Sequence, residues 1–106
     1  TALFEVSEPR VPCWRLAVRM NDPMSPRRFT DALRPGAYLR IIVEGDLSGG
    51  DEIRVVEKPS HDLTIREVFR IYTRDRNEIE RLVSIPRMSE RWRKWAEGLL
   101  QKELAP

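Results

Sequence analysis

Glu8-Pro9-Arg10-Val11-Pro12-Cys13-Trp14-Arg15-Leu16 holds the only cysteine of the chain between two prolines and two arginines. Pro9 and Pro12 fix their own φ and push the residue before each toward extended geometry, so the stretch is a stiff loop. Arg10 and Arg15 flank the sulfur with positive charge, a setting that favours a thiolate and makes Cys13 a candidate soft ligand or nucleophile. Trp14 is placed to wall one side of a pocket. Free cysteine is also among the most buried residue types, and a small buried hydrophobe is the competing reading. Local chemistry leaves both open.

Outward toward the start, Ala2-Leu3-Phe4-Glu5-Val6-Ser7 alternates as a short half-buried strand, which puts Cys13 just past a strand end, where scaffolds present functional groups. On the other side, Leu16-Ala17-Val18-Arg19-Met20 is too short to separate helix from strand. Asn21 to Pro35 reads as a polar, proline-rich loop, with Phe29–Leu33 as a short helical piece and Arg27, Arg28 and Arg34 as a basic surface. Gly36–Val43 is the strongest strand signal, rich in aromatic and β-branched residues. A glycine-rich return follows at Glu44–Asp51, and Glu52–Glu57 alternates again, so the pattern predicts a hairpin between 36–43 and 52–57. Neither GxxxxGK[ST] nor GxGxxG is present, which weakens any phosphate-loop reading of these glycines.

Lys58-Pro59-Ser60-His61-Asp62 breaks the β pattern and marks a boundary. Behind it come three helical patterns. Thr64 and Glu67 form a capping box ahead of Ile65, Val68, Phe69 and Tyr72 on one face. Asn77 and Glu80 repeat the box ahead of Ile79, Leu82 and Val83, with Pro86 as the stop. Ser89 opens a third helix whose stripe is Trp92, Trp95, Ala96 and Leu99, fraying over Gln101–Pro106. The expected class is α+β in two units, 1–59 and 60–106, with the tryptophans in the core of the second.

The whole is 106 residues, with 19 Lys+Arg against 17 Asp+Glu for a net charge of +2. The acids are interleaved with the bases, unlike the one-sided field of nucleic-acid modules. One cysteine excludes an internal disulfide and suits a reducing compartment. No apolar run is long enough to span a membrane, and nothing at the start reads as a signal peptide, so the expected location is cytoplasmic. His61, the single histidine, reads as a turn residue. One cysteine and one histidine do not make a zinc site, and a Ser/His/Asp triad lacks a fixed histidine. Among the residues, Cys13 alone stands out for chemistry.

The Cys13 loop, followed by Gly36-Ala37-Tyr38-Leu39-Arg40-Ile41-Ile42, Gly45-Asp46 and Gly49-Gly50-Asp51-Glu52-Ile53, resembles the cysteine loop and strand pair of the MOSC family, named for the molybdenum-cofactor sulfurase C-terminal domain. The segment from His61 to Ala96, with Met88-Ser89-Glu90-Arg91-Trp92-Arg93, is similar to the three-alpha domain of its YiiM-like branch. The resemblance implies that 1–59 is the later part of a MOSC-type β-barrel and 60–106 a three-helix unit. It implies a molybdenum–molybdopterin cofactor, with Cys13 as the metal ligand and catalytic residue and the pterin dithiolene supplying two further sulfurs. Arg10 and Arg15 would hold the pterin phosphate or bias the sulfur toward thiolate. Tyr38 and Arg40 would line the site if their strand runs beside the loop, with structural roles equally open. Pyridoxal phosphate binding attaches to the family only as a general label.

The implied chemistry is reduction of N-hydroxylated compounds such as hydroxylaminopurines or amidoximes, fed by an external flavin or iron–sulfur protein. A sulfur or cofactor carrier using the same cysteine, and a non-catalytic binding module built on Arg66, Arg70, Arg74 and Arg76, are the alternatives. Members of this branch are about twice as long, and with no initiator Met the chain reads as the second half of such a domain. The N-terminal half of the same domain is then an expected partner. Unpaired sheet edges also make a homodimer an expectation.

Overall fold

The computed structural model describes residues 1–104, with side chains described through residue 102; Ala105 and Pro106 of the expected fraying end lie outside the described residues. The order is β1 (Leu3–Pro9), α1 (Trp14–Met20), α2 (Ser25–Asp31), β2 (Ala37–Val43), α3 (Ile65–Thr73), a 3-10 turn (Arg76–Glu78), α4 (Glu80–Val83) and α5 (Glu90–Leu104). This is the mixed α and β class that the sequence predicts. Its sheet is open and two-stranded among the described residues, not a closed barrel.

The predicted hairpin does not form. β2 pairs antiparallel with β1, from Leu3 opposite Val43 to Pro9 opposite Ala37. The return at 44–51 is made: Ser48 N–H donates to Asp51 Oδ2 at 2.8 Å and Asp51 N–H to the Ser48 carbonyl at 3.2 Å. The chain beyond it has no ladder. Glu52–Glu57 is exposed throughout, with Ile53 at 93 %, and Arg54 pairs with its near neighbour Glu52. Alternation records a face that fits a sheet, not which strand provides it. At Gly45 a Cβ would stand 2.8 Å from the Ala2 nitrogen, so glycine there lets the end of β2 pass the start of β1.

The Asn21–Pro35 region is more helical than its prolines suggest. Pro26 sits in the first turn of α2, where a missing N–H costs nothing. Asp22 Oδ1 accepts the Met24 N–H at 2.9 Å, and the Asp22 carbonyl accepts the Ser25 hydroxyl at 2.8 Å. Leu16-to-Met20 resolves as helix, closed by Asn21 in the left-handed region at φ 50°.

The apolar cluster lies in the later half: Val68, Ile71, Ile79, Leu82, Trp92 and Ala96. Thr64 caps α3 as expected, its Oγ1 accepting the Glu67 N–H at 3.2 Å. The second expected box does not form. Asn77 lies inside the 3-10 turn, and Glu80 begins α4, which runs only to Val83. Nearby, Arg70 holds Glu67 at 2.9 Å and Glu78 at 2.7 Å, and also pairs with Asp75. That network favours the tight turn linking α3 to α4 over a longer second helix. Ser89 caps α5, its Oγ accepting the Trp92 N–H at 3.4 Å.

Candidate functional site

The site is built where β1 ends. Pro9 is buried, and Arg10 N–H donates to the Gly36 carbonyl at 3.0 Å, so the loop leaves the sheet at a fixed point. Gly36 sits at φ +87°, a conformation that glycine adopts without strain. The loop then runs to Cys13, which is exposed and stands at the N-cap of α1 with extended backbone. Its carbonyl accepts the Leu16 N–H at 3.0 Å, while its side chain makes no cap bond. The buried-hydrophobe reading of Cys13 is therefore corrected: the burial at this turn falls to Leu16.

Trp14 is 69 % exposed, and the Arg15 guanidinium lies over its ring at 5.6 Å. Arg15 and Trp14 form a solvent-facing pair beside Cys13, so Trp14 is not the pocket wall that the sequence suggests.

The β1–β2 register decides where the two strand candidates fall. Tyr38 stands opposite Glu8, and Arg40 opposite Glu5. The second strand does run beside the loop, through pairing with β1. Tyr38 faces a cleft of about 370 Å³ together with Val11, Tyr72, Arg91, Trp92 and Trp95. Arg40 is engaged elsewhere. Its guanidinium pairs with the Glu5 carboxylate and donates to the Arg87 carbonyl at 2.6 Å. Arg87 meets the same carboxylate at 2.8 Å, and these two arginines hold Glu5 below its ordinary range.

Three residues outside the predicted set shape this region. Glu8, whose side chain is 14 % exposed, accepts from Arg91 at 3.0 Å and from the Ser89 hydroxyl at 2.8 Å. That pair of bonds ties the Cys13 loop to the start of α5. The aromatic wall is tight: Tyr72 lies 5.0 Å from both Trp92 and Trp95, and the two tryptophans are 5.7 Å apart. The sequence places Trp92 and Trp95 in a core. Trp92 is buried there, while Trp95 is half-buried, and both also face the cleft.

No group of three or more His, Cys, Asp or Glu side chains suited to a metal occurs among the described residues. The donor chemistry on offer is one accessible sulfur. It fits a metal that brings its own sulfur ligands and takes a single protein thiolate, and not a metal held by a protein cage.

Residues 1–54 match the family model of the MOSC domain, and the chain belongs to the MOSC domain family. A protein named only "Reductase" in Gibberella moniliformis is 36 % identical over 69 residues, covering 65 % of this chain and 12 % of its own length. The uncharacterized protein YflK of Bacillus subtilis is 28 % identical over 95 residues, 87 % of this chain and 43 % of its own. The crystal structure of YiiM from Geobacillus stearothermophilus is similar over 99 % of this chain and 53 % of its own, with a TM-score of 0.83 and 32 % identity. YiiM from Escherichia coli follows with 0.75 and 25 %, over 92 % of this chain and 49 % of its own. The chain thus spans about half the length of both YiiM structures. No described helix is long and apolar enough to cross a membrane.

Proposed function

We propose that this chain contributes the thiolate side of a molybdenum–molybdopterin site in a reductase of N-hydroxylated compounds. The observation that carries the reading is Cys13: an exposed, lone thiol at the N-cap of α1, on the proline-framed loop that follows β1 inside the MOSC-matched residues. The relative named a reductase lends support at the level of reaction class. When bound, the molybdenum group supplies the two-electron chemistry, and the protein supplies binding and orientation.

Cys13 Sγ is the metal ligand. Arg10 and Arg15, on either side of it, balance anionic charge on the pterin. Tyr38 borders the approach from the aromatic cleft. Arg40 acts from a distance by holding Glu5 and the Arg87 carbonyl. The net reaction takes R–NH–OH, two electrons and two protons to R–NH2 and water. The electrons come from a separate flavin or iron–sulfur protein. In this reading residues 1–59 belong to a MOSC barrel, residues 60–106 form an appended three-helix unit, and the protein works in the cytoplasm.

The binding-module alternative loses much of its charge to internal contacts. Arg70 is surrounded by three carboxylates, and Arg74 donates to the Asp31 carbonyl at 2.7 Å. The test is molybdenum and pterin content per chain, for the protein and its Cys13→Ala variant, purified from cells that make the cofactor. Near-stoichiometric metal that disappears in the variant supports the reading. Metal retained by the variant overturns it, and a persulfide mass on Cys13 without molybdenum replaces it with sulfur carriage.

A further inference from the structure

We propose that two copies of this chain associate about a two-fold axis, the acidic connection after β2 of each copy lying on the basic face of α1 and α2 of the other. The near balance of charge in the whole sequence hides a division between its connections. Residues 10–36, between the two strands, carry six arginines against Asp22 and Asp31, a net charge of +4. Residues 44–64, between β2 and α3, carry six carboxylates against Arg54 and Lys58, a net charge of −4 with His61 neutral. Much of this charge has no opposite partner within one copy. Arg10, Arg15, Arg19 and Arg34 pair with no carboxylate among the described residues, and Glu44, Asp46 and Glu57 pair with no cationic side chain.

Both connections also expose apolar side chains. Leu16 is the buried residue of α1, so Trp14 and Val18, one turn apart on the opposite side, form an outward ridge. Val18 is 71 % exposed, and Met20 and Met24 are exposed where α1 turns into α2. On the acidic side Leu47, Ile53, Val55 and Val56 are exposed and have no strand partner. Contiguous apolar surface rimmed by charge marks an interaction site. A nucleic acid would answer the arginines and leave the ridge uncovered, whereas a second copy brings carboxylates and apolar side chains together. The sheet sets the geometry. Pro9 stands opposite Ala37 and Leu3 opposite Val43, so the basic connection leaves one end of the sheet and the acidic connection the other. Seven-residue strands put those ends about 20 Å apart. In an antiparallel pair of copies each acidic connection meets a basic face, both joints form at once, and the assembly closes as a dimer. A parallel pair would set like charges against each other.

The contact involves neither metal nor substrate, so its test is independent of the molybdenum reading. Sedimentation equilibrium across a concentration series should show a monomer–dimer equilibrium that added salt weakens. One variant reverses the face with Arg19→Glu, Arg27→Glu and Arg34→Glu. The other reverses the connection with Asp46→Lys, Glu52→Lys and Glu57→Lys. All six positions are exposed, so the fold should tolerate the changes. Each variant alone should self-associate about a hundredfold more weakly, because like charges then face each other at both joints. Mixed, the two should form a one-to-one heterodimer: the reversed connection meets the reversed face at one joint, and the two unchanged patches meet at the other. Protein that stays monomeric throughout the series overturns the proposal. A dimer that either variant retains places the contact elsewhere, such as a sheet edge, and overturns it too. So does a mixture of the two variants that stays monomeric.

Discussion

Replacing Glu8 with alanine probes the joint between the Cys13 loop and the helical unit. The carboxylate accepts from the Ser89 hydroxyl at 2.8 Å and from Arg91 at 3.0 Å, and its side chain is only 14 % exposed. Hydrogen bonds to a charged group contribute about 1.5–3 kcal/mol when sheltered. The Arg91 arm is 73 % exposed and contributes about 0–1 kcal/mol after screening. The Ser89 arm then dominates, and Glu8→Ala is expected to cost about 2–3 kcal/mol. At about 4–8 °C per kcal/mol for a small domain, Tm should fall by about 8–24 °C. Ser89→Ala also removes the α5 cap, worth about 1 kcal/mol, so the single variants must be separated by a cycle. Urea melts of the two single variants and the double variant should give a coupling of about 1–2 kcal/mol. A coupling under about 0.5 kcal/mol, the level of independent sites, would refute the joint. The same variant should speed the reaction of Cys13 with a disulfide reagent, because the loop loses its anchor to α5.

Cys13→Ala should leave stability within about 0.5 kcal/mol, because the side chain is exposed and makes no cap bond; a Tm loss as large as a core cavity produces would restore the buried-hydrophobe reading. Leu82→Ala, at a fully buried position of the helical cluster, should cost about 2–5 kcal/mol in urea unfolding. Arg70 and then Arg81 lower Glu78 from 4.5 to about 2, while Arg70 lowers Glu67 and Arg40 lowers Glu5. Each of these carboxylates is depressed in the folded state, so its contribution is present above the ordinary carboxylate range and lost as pH falls; for Glu78 the loss runs from 4.5 down to about 2. Urea midpoints measured across that window should decline, and Glu78→Gln should flatten the decline; an unchanged slope would remove Glu78 from the account.

The legible parts of the sequence were those with local causes. The Thr64 cap formed because a hydroxyl three residues before an N–H needs no distant partner. The Trp92–Ala96 stripe became core because its spacing fixes a face. Cys13 was recognised as the chemically distinctive residue, although burial statistics for cysteine pointed inward while its place at a helix start turned it out. The strand partner was not legible: Ile53 and Val55 alternate as well as Phe4 and Val6 do, and only the β1–β2 register chose between them. Glu8, Ser89 and Arg91 carried no motif. A carboxylate next to a proline and a helix cap more than eighty residues later acquire meaning only when the sheet sets them together.

The forces holding the two parts differ in kind, and this explains where the chemistry sits. Within residues 63–100 the elements meet through Ile71, Ile79, Leu82 and Trp92, apolar contacts that solvent does not screen. Much of the bonding between the sheet and that unit is polar: Glu5 with Arg87, Glu8 with Ser89 and Arg91, and Arg40 with the Arg87 carbonyl. Directional bonds fix the angle at which the Cys13 loop meets α5 more closely than an apolar face would, because each has one length and one line of approach. They also leave the space between the parts open, since ion pairs at a rim do not require the surfaces behind them to close. Tyr38 and Val11 on one side, and Tyr72, Trp92 and Trp95 on the other, bound the gap that results. A cleft bordered by a polar seam is thus a consequence of dividing apolar packing and charge between the inside of one unit and the seam that joins it to the other.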